Sequence, residues 1–350
     1  MGAADLVSLG WNERWQTLWG DEAPDDSAPG RVIRHDGVAA LVALASGTGH
    51  VALSGAVGPV TVGDWVAVEG AGDDGIGESA RVGAVLTRSS LLERRDPSVN
   101  SAQLLAANVD RVVMVCGADR PLRHGRIQRG AALAWEAGAV PAVVVTKADL
   151  TDDMESLLEE VRTADPGLDV LATSAVTHVG IDDLAGLIGH GTVVFIGESG
   201  AGKSSLVNAL AGEQVAVARN VRSGDAKGRH TTTTRQLHVL PTGGCVIDSP
   251  GIREMGIWAT SDSVDAAFGD IGDLAAHCRF NDCAHGTEPG CAVMAAVADG
   301  TLDADRLASW RSLREEAAAA QLRNDPRARK QAGKRFGKMA REAQKYRQGR

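Results

Sequence analysis

Residues 192–210 are TVVFIGESGAGKSSLVNAL, and the rest of the architecture can be placed around them. A β-branched apolar run ends in Gly197, Glu198, Ser199, Gly200, Ala201, Gly202, Lys203 and Ser204, a match to G-x-x-x-x-G-K-[ST], and a helix-forming run follows at once. Strand, glycine-rich turn and helix in that order make a phosphate cradle. The glycines let backbone N–H groups curl around phosphate oxygens at a helix N-terminus, where the backbone dipoles favour an anion. Lys203 supplies a cation to the β- and γ-phosphates. The Ser204 hydroxyl, with Ser205 next to it, stands where a Mg²⁺ ligand is needed.

Working downstream, the apolar run GCVI ends in Asp248-Ser-Pro-Gly251. Alone, D-x-P-G is only a turn signal. Behind a phosphate loop it provides Asp248 for Mg²⁺ and the Gly251 N–H for a γ-phosphate. Between the two motifs lies VRSGDAKGRHTTTTRQL, residues 221–237. A threonine there, completing the Mg²⁺ shell only when a γ-phosphate is present, makes a switch. Counting back from the strand at Leu237 favours Thr233, with Thr231 and Thr232 as competitors. Ile252 follows Gly251, where many signalling GTPases place a water-orienting Gln, and an alkyl side chain orients no water. Slow intrinsic hydrolysis is expected, with His230 the candidate to assist.

Working upstream, Thr146-Lys-Ala-Asp149 closes the run VPAVVV. The Asp149 carboxylate is an acceptor for the N1–H and 2-amino group that guanine offers and adenine does not. Lys147 lays its alkyl stem along the base. Thr146 stands where the usual motif has Asn, so a weaker tie between base pocket and phosphate loop is expected. Ser174-Ala175, after the run DVLAT, fits the element whose backbone N–H reaches guanine O6. Ordinary GTPases place these two elements after the phosphate loop, the switch threonine and D-x-x-G; here they come first. The sheet is cut at a different loop, a circular permutation. The segment after Gly251 therefore leads straight into HCRFNDCAHGTEPGC, residues 277–291. Cys278, Cys283, His285 and Cys291 supply three thiolates and an imidazole, a closed Cys₃His set for one structural Zn²⁺ per chain, with His277 as an alternative to His285.

The flanks have different textures. Trp11, Trp15 and Trp19 share one helical face, and DEAPDDSAPG, residues 21–30, reads as a linker. Short β-branched runs from Arg31 to about Arg95 suggest a small five-stranded barrel with a single aromatic, Trp65. Leu302, Leu307, Trp310, Leu313 and Ala317 form an apolar helical face near the C-terminus. From Gln321 onward eleven Lys/Arg stand against Asp325 and Glu342, a local +9; since the whole chain is −9, the residues before it carry −18. An acidic body with a basic tail suits a protein that touches a polyanion at one place, and a solvated terminus is the competing explanation. The five cysteines suit buried thiols and a metal site better than disulfides. No apolar run is long enough for a membrane span and the N-terminus lacks a signal pattern, so a cytoplasmic protein is expected.

Taken with these motifs, the chain resembles the RsgA family of circularly permuted GTPases over almost its whole length. The resemblance implies an N-terminal OB-fold barrel, an α/β P-loop GTPase domain and a mainly helical zinc-binding C-terminal domain. The boundaries expected are 1–30 for an N-terminal extension, 31–97, 98–258, and 259–350 including the basic tail. It also implies GTP hydrolysis to GDP stimulated by the small ribosomal subunit and rRNA contacts through both flanking domains; Mg²⁺ is expected from the motifs, and the chain is expected to be a monomer without a membrane partner. The competing readings are a nucleotide-switched RNA- or protein-binding scaffold with incidental turnover, and a P-loop ATPase, which Asp149 disfavours.

Overall fold

A computed structural model of the chain describes residues 5–55, 57–72, 75–95, 102–216, 235–248 and 260–324. Two compact units emerge, Met1–Ile257 and Trp258–Arg350. The first opens with helix α1, Glu13–Glu22, whose N-terminus is capped by the Asn12 side chain accepting from the Arg14 and Trp15 N–H groups. Five strands follow: β1 Ser27–His35, β2 Ala39–Leu44, β3 Gly47–Ala52, β4 Trp65–Gly72 and β5 Gly75–Val85. They pair in the order β1-β2-β3-β5-β4 and back to β1, a closed Greek-key ring of the OB type. β3 and β5 run parallel and the other pairs antiparallel. Val32, Val42, Leu44, Val51, Val66 and Val82 fill the interior.

Strand β1 begins at Ser27, so the second half of the stretch read as a linker is barrel wall, paired with Glu69–Trp65 of β4. Pro29 is tolerated because pairing with β2 starts only at Gly30, which leaves one side of the strand without a ladder there. The tryptophans gather on the barrel: the Trp11 and Trp15 rings lie 4.8 and 6.0 Å from that of Trp65, which is fully buried. Trp65 is therefore covered by its own chain and offers no exposed stacking face.

A hairpin absent from the sequence reading, β6 Leu91–Arg95 and β7 Ala102–Ala107, leads into alternating elements. These are β8 Arg111–Gly117, α2 His124–Glu136, β9 Val140–Thr146, α3 Met154–Ala164, β10 Asp169–Ala172, α4 Ile181–Ile188, β11 Thr192–Gly197 and α5 Lys203–Ala211. β12 Gln236–Val239 and β13 Cys245–Asp248 complete the sheet. Its order is β10-β9-β8-β11-β13-β12, parallel except for β12. The strands are almost wholly buried, as β-branched runs covered on both faces must be. Helices α4 and α5 share one core with β8, β9 and β11, through Ile181, Leu184, Leu206, Leu210, Val193 and Phe195.

Barrel and sheet are joined at β12, where Arg34 of β1 lies opposite Gln236, which in turn lies opposite Asp248 of β13. A second joint is Arg31, 1% exposed. Its guanidinium donates to the Leu9 carbonyl, to the Asn108 carbonyl at 3.2 Å and to Thr192 Oγ1 at 2.8 Å, and lies 5.1 Å from the Trp65 ring centroid. Burial pushes its pKa down, opposed by the nearby Cys245, Asp110 and Asp64. One cation thus pins the N-terminal segment, the barrel and the start of β11.

In the second unit, α6 Ser261–Ala267, α7 Gly269–Ala275, α8 Ala292–Asp299 and α9 Ala304–Asn324 enclose the apolar face expected from the sequence. Leu302, Leu307, Trp310, Leu313 and Ala317 are all buried. Trp310 Nε1 donates to Asp265 of α6 at 2.9 Å, and buried Arg306 grips Asp270 of α7 through two nitrogens at 2.7 and 2.6 Å.

Replacing Arg31 by Ala leaves buried carbonyls without donors and opens a cavity beside Trp65. The expected loss is about 3–5 kcal/mol of unfolding free energy, the range for large buried side chains and broken buried charge networks. Urea denaturation checks it, and a loss below about 1 kcal/mol would refute the role given to this side chain.

Candidate functional site

All the sequence motifs that fall on described residues of the sheet lie at the carboxyl ends of its strands, where open α/β sheets bind ligands. The phosphate loop leaves β11 at Gly197 and enters α5 at Lys203. Two of its glycines are required by space as well as by torsion. Gly197 has φ +151° and a Cβ there would lie 2.3 Å from the Val115 carbonyl oxygen, while Gly202, the N-cap with φ +100°, lies against Thr146. No side chain caps α5, so the amides of its first turn, which holds Lys203, Ser204 and Ser205, are left for an anion. The Lys203 ammonium donates to the Gly197 and Glu198 carbonyls at 2.7 and 2.6 Å, curled across the loop it would serve.

Thr146, at the end of β9, is buried, and its hydroxyl donates to the Ala201 carbonyl at 2.5 Å, with the Cys116 carbonyl at 3.2 Å. Thr146 thus joins the strand of the expected base pocket to the phosphate loop, at the joint where its replacement of Asn leads one to expect a weaker tie. A hydroxyl carries the single donor that this joint uses, and the short Thr side chain reaches because Gly202 leaves room for it. Lys147 follows in left-handed conformation, φ 61°, and opens a 3-10 turn over Ala148–Leu150. The turn is braced by Ala148 N–H donating to the Thr173 carbonyl at 3.1 Å. Asp149 and Ser174, twenty-five residues apart, meet across that brace: Ser174 Oγ donates to Asp149 Oδ1 at 2.5 Å. Ser174 Oγ also accepts from the Val176 and Thr177 N–H groups at 3.2 and 3.1 Å, fixing the turn that carries Ala175. Asp248 ends β13, next to β11 in the sheet, so it and the phosphate loop share one edge. His230, Thr231, Thr232, Thr233, Gly251, Ile252 and the basic tail beyond Asn324 lie outside the described residues.

Other side chains at the site were not singled out in the sequence. Glu198 of the phosphate loop is met by Arg120 at 3.3 Å, by Arg123 at 3.4 Å and by Arg126. Asp119 receives Lys147 Nζ at 2.7 Å and Arg120 at 3.2 Å; these cations, Arg120 first and Lys147 second, hold its pKa down to about 2. A cleft of about 270 Å³, lined by Met114, Cys116, Arg120, Ile127, Ile196 and Glu198, opens beside the loop. The signal for Asp119 and Arg120 was positional: they follow one residue after the end of β8, the neighbour of β11 in the sheet.

In the second unit, one ligand atom from each of Cys278, Cys283, His285 and Cys291 lies within 4.8 Å of all the others. A tetrahedral Zn²⁺ with Zn–S near 2.3 Å and Zn–N near 2.0 Å sets sulfurs about 3.8 Å apart and sulfur to nitrogen about 3.5 Å. The Cys278 and Cys291 sulfurs are 3.9 Å apart, and His285 Nδ1 lies 3.5 and 3.6 Å from them, so the donors present fit that ion. Burial pushes the His285 pKa down, toward the neutral imidazole that ligation needs. His277 stands outside the group, its Nδ1 facing the Asp273 carbonyl at 2.9 Å.

Residues 85–258 match the family model described as RsgA GTPase. The chain is 42% identical over 355 residues to the small ribosomal subunit biogenesis GTPase RsgA of Streptomyces coelicolor, covering 97% of this chain and 96% of that one. It is 44% identical over 333 residues to the protein of the same description in Streptomyces avermitilis, covering 93% of this chain and 89% of that one. Among solved structures, YjeQ from Thermotoga maritima aligns with a TM-score of 0.64 at 26% identity, over 83% of this chain and 99% of that one. YloQ, described as a circularly permuted GTPase, aligns with a TM-score of 0.62 at 23% identity, over 85% and 96%, a likeness of fold.

The Thr146 joint yields a measurable consequence. Thr146→Val keeps the shape and removes the donor to Ala201, and is expected to weaken guanine nucleotide binding about fivefold, the equivalent of one hydrogen bond of about 1 kcal/mol. Thr146→Ser is expected to retain it. Titration with a fluorescent GDP analogue checks both, and equal affinity for Val and Thr would remove the joint from the account.

Proposed function

The chain belongs to the RsgA family of circularly permuted GTPases, and from that premise we propose that it hydrolyses GTP to GDP and phosphate in the cytoplasm while maturing the small ribosomal subunit. The observation that carries the reading is the meeting of Asp149 with Ser174 at the same sheet edge as the phosphate loop, with Thr146 joining the two halves. A carboxylate held by Ser174 presents an acceptor edge to guanine, and the loop beside it presents amides to phosphate.

Ser204 and Asp248, on neighbouring elements, would hold Mg²⁺ together with Thr233. The ion neutralises charge on the β,γ-phosphates when bound. Lys203, released from the Gly197 and Glu198 carbonyls, would turn to the phosphates. Asp149 would fix the base, Lys147 would cover its face, and Gly251 N–H would register the γ-phosphate. With Ile252 unable to orient water, His230 and the ribosomal subunit would supply what the resting site lacks. Cys278, Cys283, His285 and Cys291 would hold one Zn²⁺ that fixes a loop for rRNA contact, and the basic tail would add phosphate contacts.

Purified small ribosomal subunits are expected to raise the GTPase rate by at least tenfold, and Asp149→Asn to lose the preference for GTP over xanthosine triphosphate. A rate indifferent to the subunits would favour the alternative of a nucleotide-switched scaffold. For the metal, elemental analysis of carefully purified protein is expected to find one zinc per chain, with Cys283→Ser lowering both zinc content and thermal stability. Zinc-free protein of undiminished stability would refute the site.

A further inference from the structure

We infer that Asp119 is a positioning residue of the base site: its carboxylate holds the Lys147 ammonium and, through Arg120, links it to Glu198 of the phosphate loop. The inference rests on the reading of this edge as a guanine-nucleotide site and adds to it a residue outside every nucleotide motif.

The observations form a chain of alternating charge. Lys147 Nζ lies 2.7 Å from Asp119 Oδ2, Asp119 lies 3.2 Å from Arg120, and Arg120 Nη1 lies 3.3 Å from Glu198. Arg120 Nη1 is also 3.4 Å from the Ser199 carbonyl. Glu198 is held from its other side by Arg123 and Arg126. The backbone makes room for this arrangement. Gly117, paired with Thr146 across the ladder, would place a Cβ 2.3 Å from Asp119 Oδ1 and 3.6 Å from Lys147 Nζ. Any side chain at 117 would push the carboxylate off the lysine.

Exposed ion pairs add little to fold stability, and Asp119 and Lys147 retain 29% and 27% of their side-chain exposure. The effect of the pair lies in conformational freedom. A lysine stem has four rotatable bonds, and ordering it under a base lowers affinity unless it is ordered beforehand. Lys147 starts from a left-handed backbone, and Asp119 fixes the other end, so the stem is held at both ends. A stem packed on the face of a purine does not read its edge. Loss of Asp119 therefore weakens every purine nucleotide alike and leaves discrimination by Asp149 intact.

The test titrates the full chain with a fluorescent GDP analogue and competes it with GDP and with IDP, which lacks the 2-amino group. Asp119→Ala and the isosteric Asp119→Asn are expected to weaken both nucleotides by about fivefold, with the GDP to IDP ratio and the thermal midpoint of the free protein unchanged. In a Lys147→Ala background, Asp119→Ala is expected to cost nothing further, because the group it positions is gone. Three results would overturn the inference: affinity within about twofold of wild type, an equal further loss in the Lys147→Ala background, or a changed GDP to IDP ratio. Wild-type protein that binds no GDP would defeat the nucleotide-site reading itself, whereas tight wild-type binding untouched by Asp119→Ala defeats only this inference.

Discussion

Parallel strands share one direction, and the register of β10, β9, β8, β11 and β13 brings their carboxyl ends to one level. Ala172 lies opposite Val145, Thr146 opposite Gly117, Gly197 opposite Val115 and Ile247 opposite Val194. Each strand end then delivers one part of the candidate site: Ser174, Thr146 to Asp149, the loop with Asp119, the phosphate loop and Asp248. A slip of one residue in any pair would turn its side chains to the opposite face and remove its part from the edge. This constraint also explains why the permutation does no harm. The ladder depends on which strands are neighbours and not on which loop was cut, so motifs met in a different order along the chain still assemble.

The joints across that edge are short and chemically distinct. Thr146 to Ala201 is a neutral hydrogen bond in a buried place, where geometry governs. The line from Lys147 through Asp119 and Arg120 to Glu198 is ionic and half-exposed, so it is sensitive to salt and adds position more than stability. A loop crowded with glycine cannot hold its own shape through side chains, and these neighbours hold it from both sides. The arginines on the loop before α2 and on its first turns leave Glu198 embedded among cations, beside an apolar cleft.

At its other margin the sheet has an exposed-edge problem, since β12 would present unpaired backbone groups. The barrel answers it with β1, whose Arg34 sits two strands from Asp248 in the same register. Arg31, three residues earlier on that strand, supplies donors to carbonyls that converge from the N-terminal segment and the entry to β8, and packs under Trp65. A buried guanidinium is tolerable only with such partners, because charge taken from water must be matched by hydrogen bonds. In the second unit the burial of Trp310 and Leu313 and the grip of Arg306 on Asp270 gather the described helices, and the Cys/His donors stand within ligation distance of one another.

Chemistry that is local along the chain was legible from the residues alone. G-x-x-x-x-G-K-S needs only a strand before it and a helix after it, and the Cys/His donors stand within fourteen residues, so adjacency along the chain already implies adjacency in space. Motif order announced the permutation, and the periodicity of Leu302, Leu307, Trp310, Leu313 and Ala317 announced a buried face. Whatever depends on distant segments meeting became visible in the folded chain. It showed that the Thr146 hydroxyl meets the Ala201 carbonyl beside Gly202, and that Asp119 reaches Lys147 from the end of a neighbouring strand. It also showed that Pro29 lies in barrel wall and that Arg31 is a joint and not a surface charge. A charged residue in a β-branched run looks the same in sequence whether it faces water or three carbonyl and hydroxyl acceptors. Only the packing of segments far apart in the chain distinguishes the two.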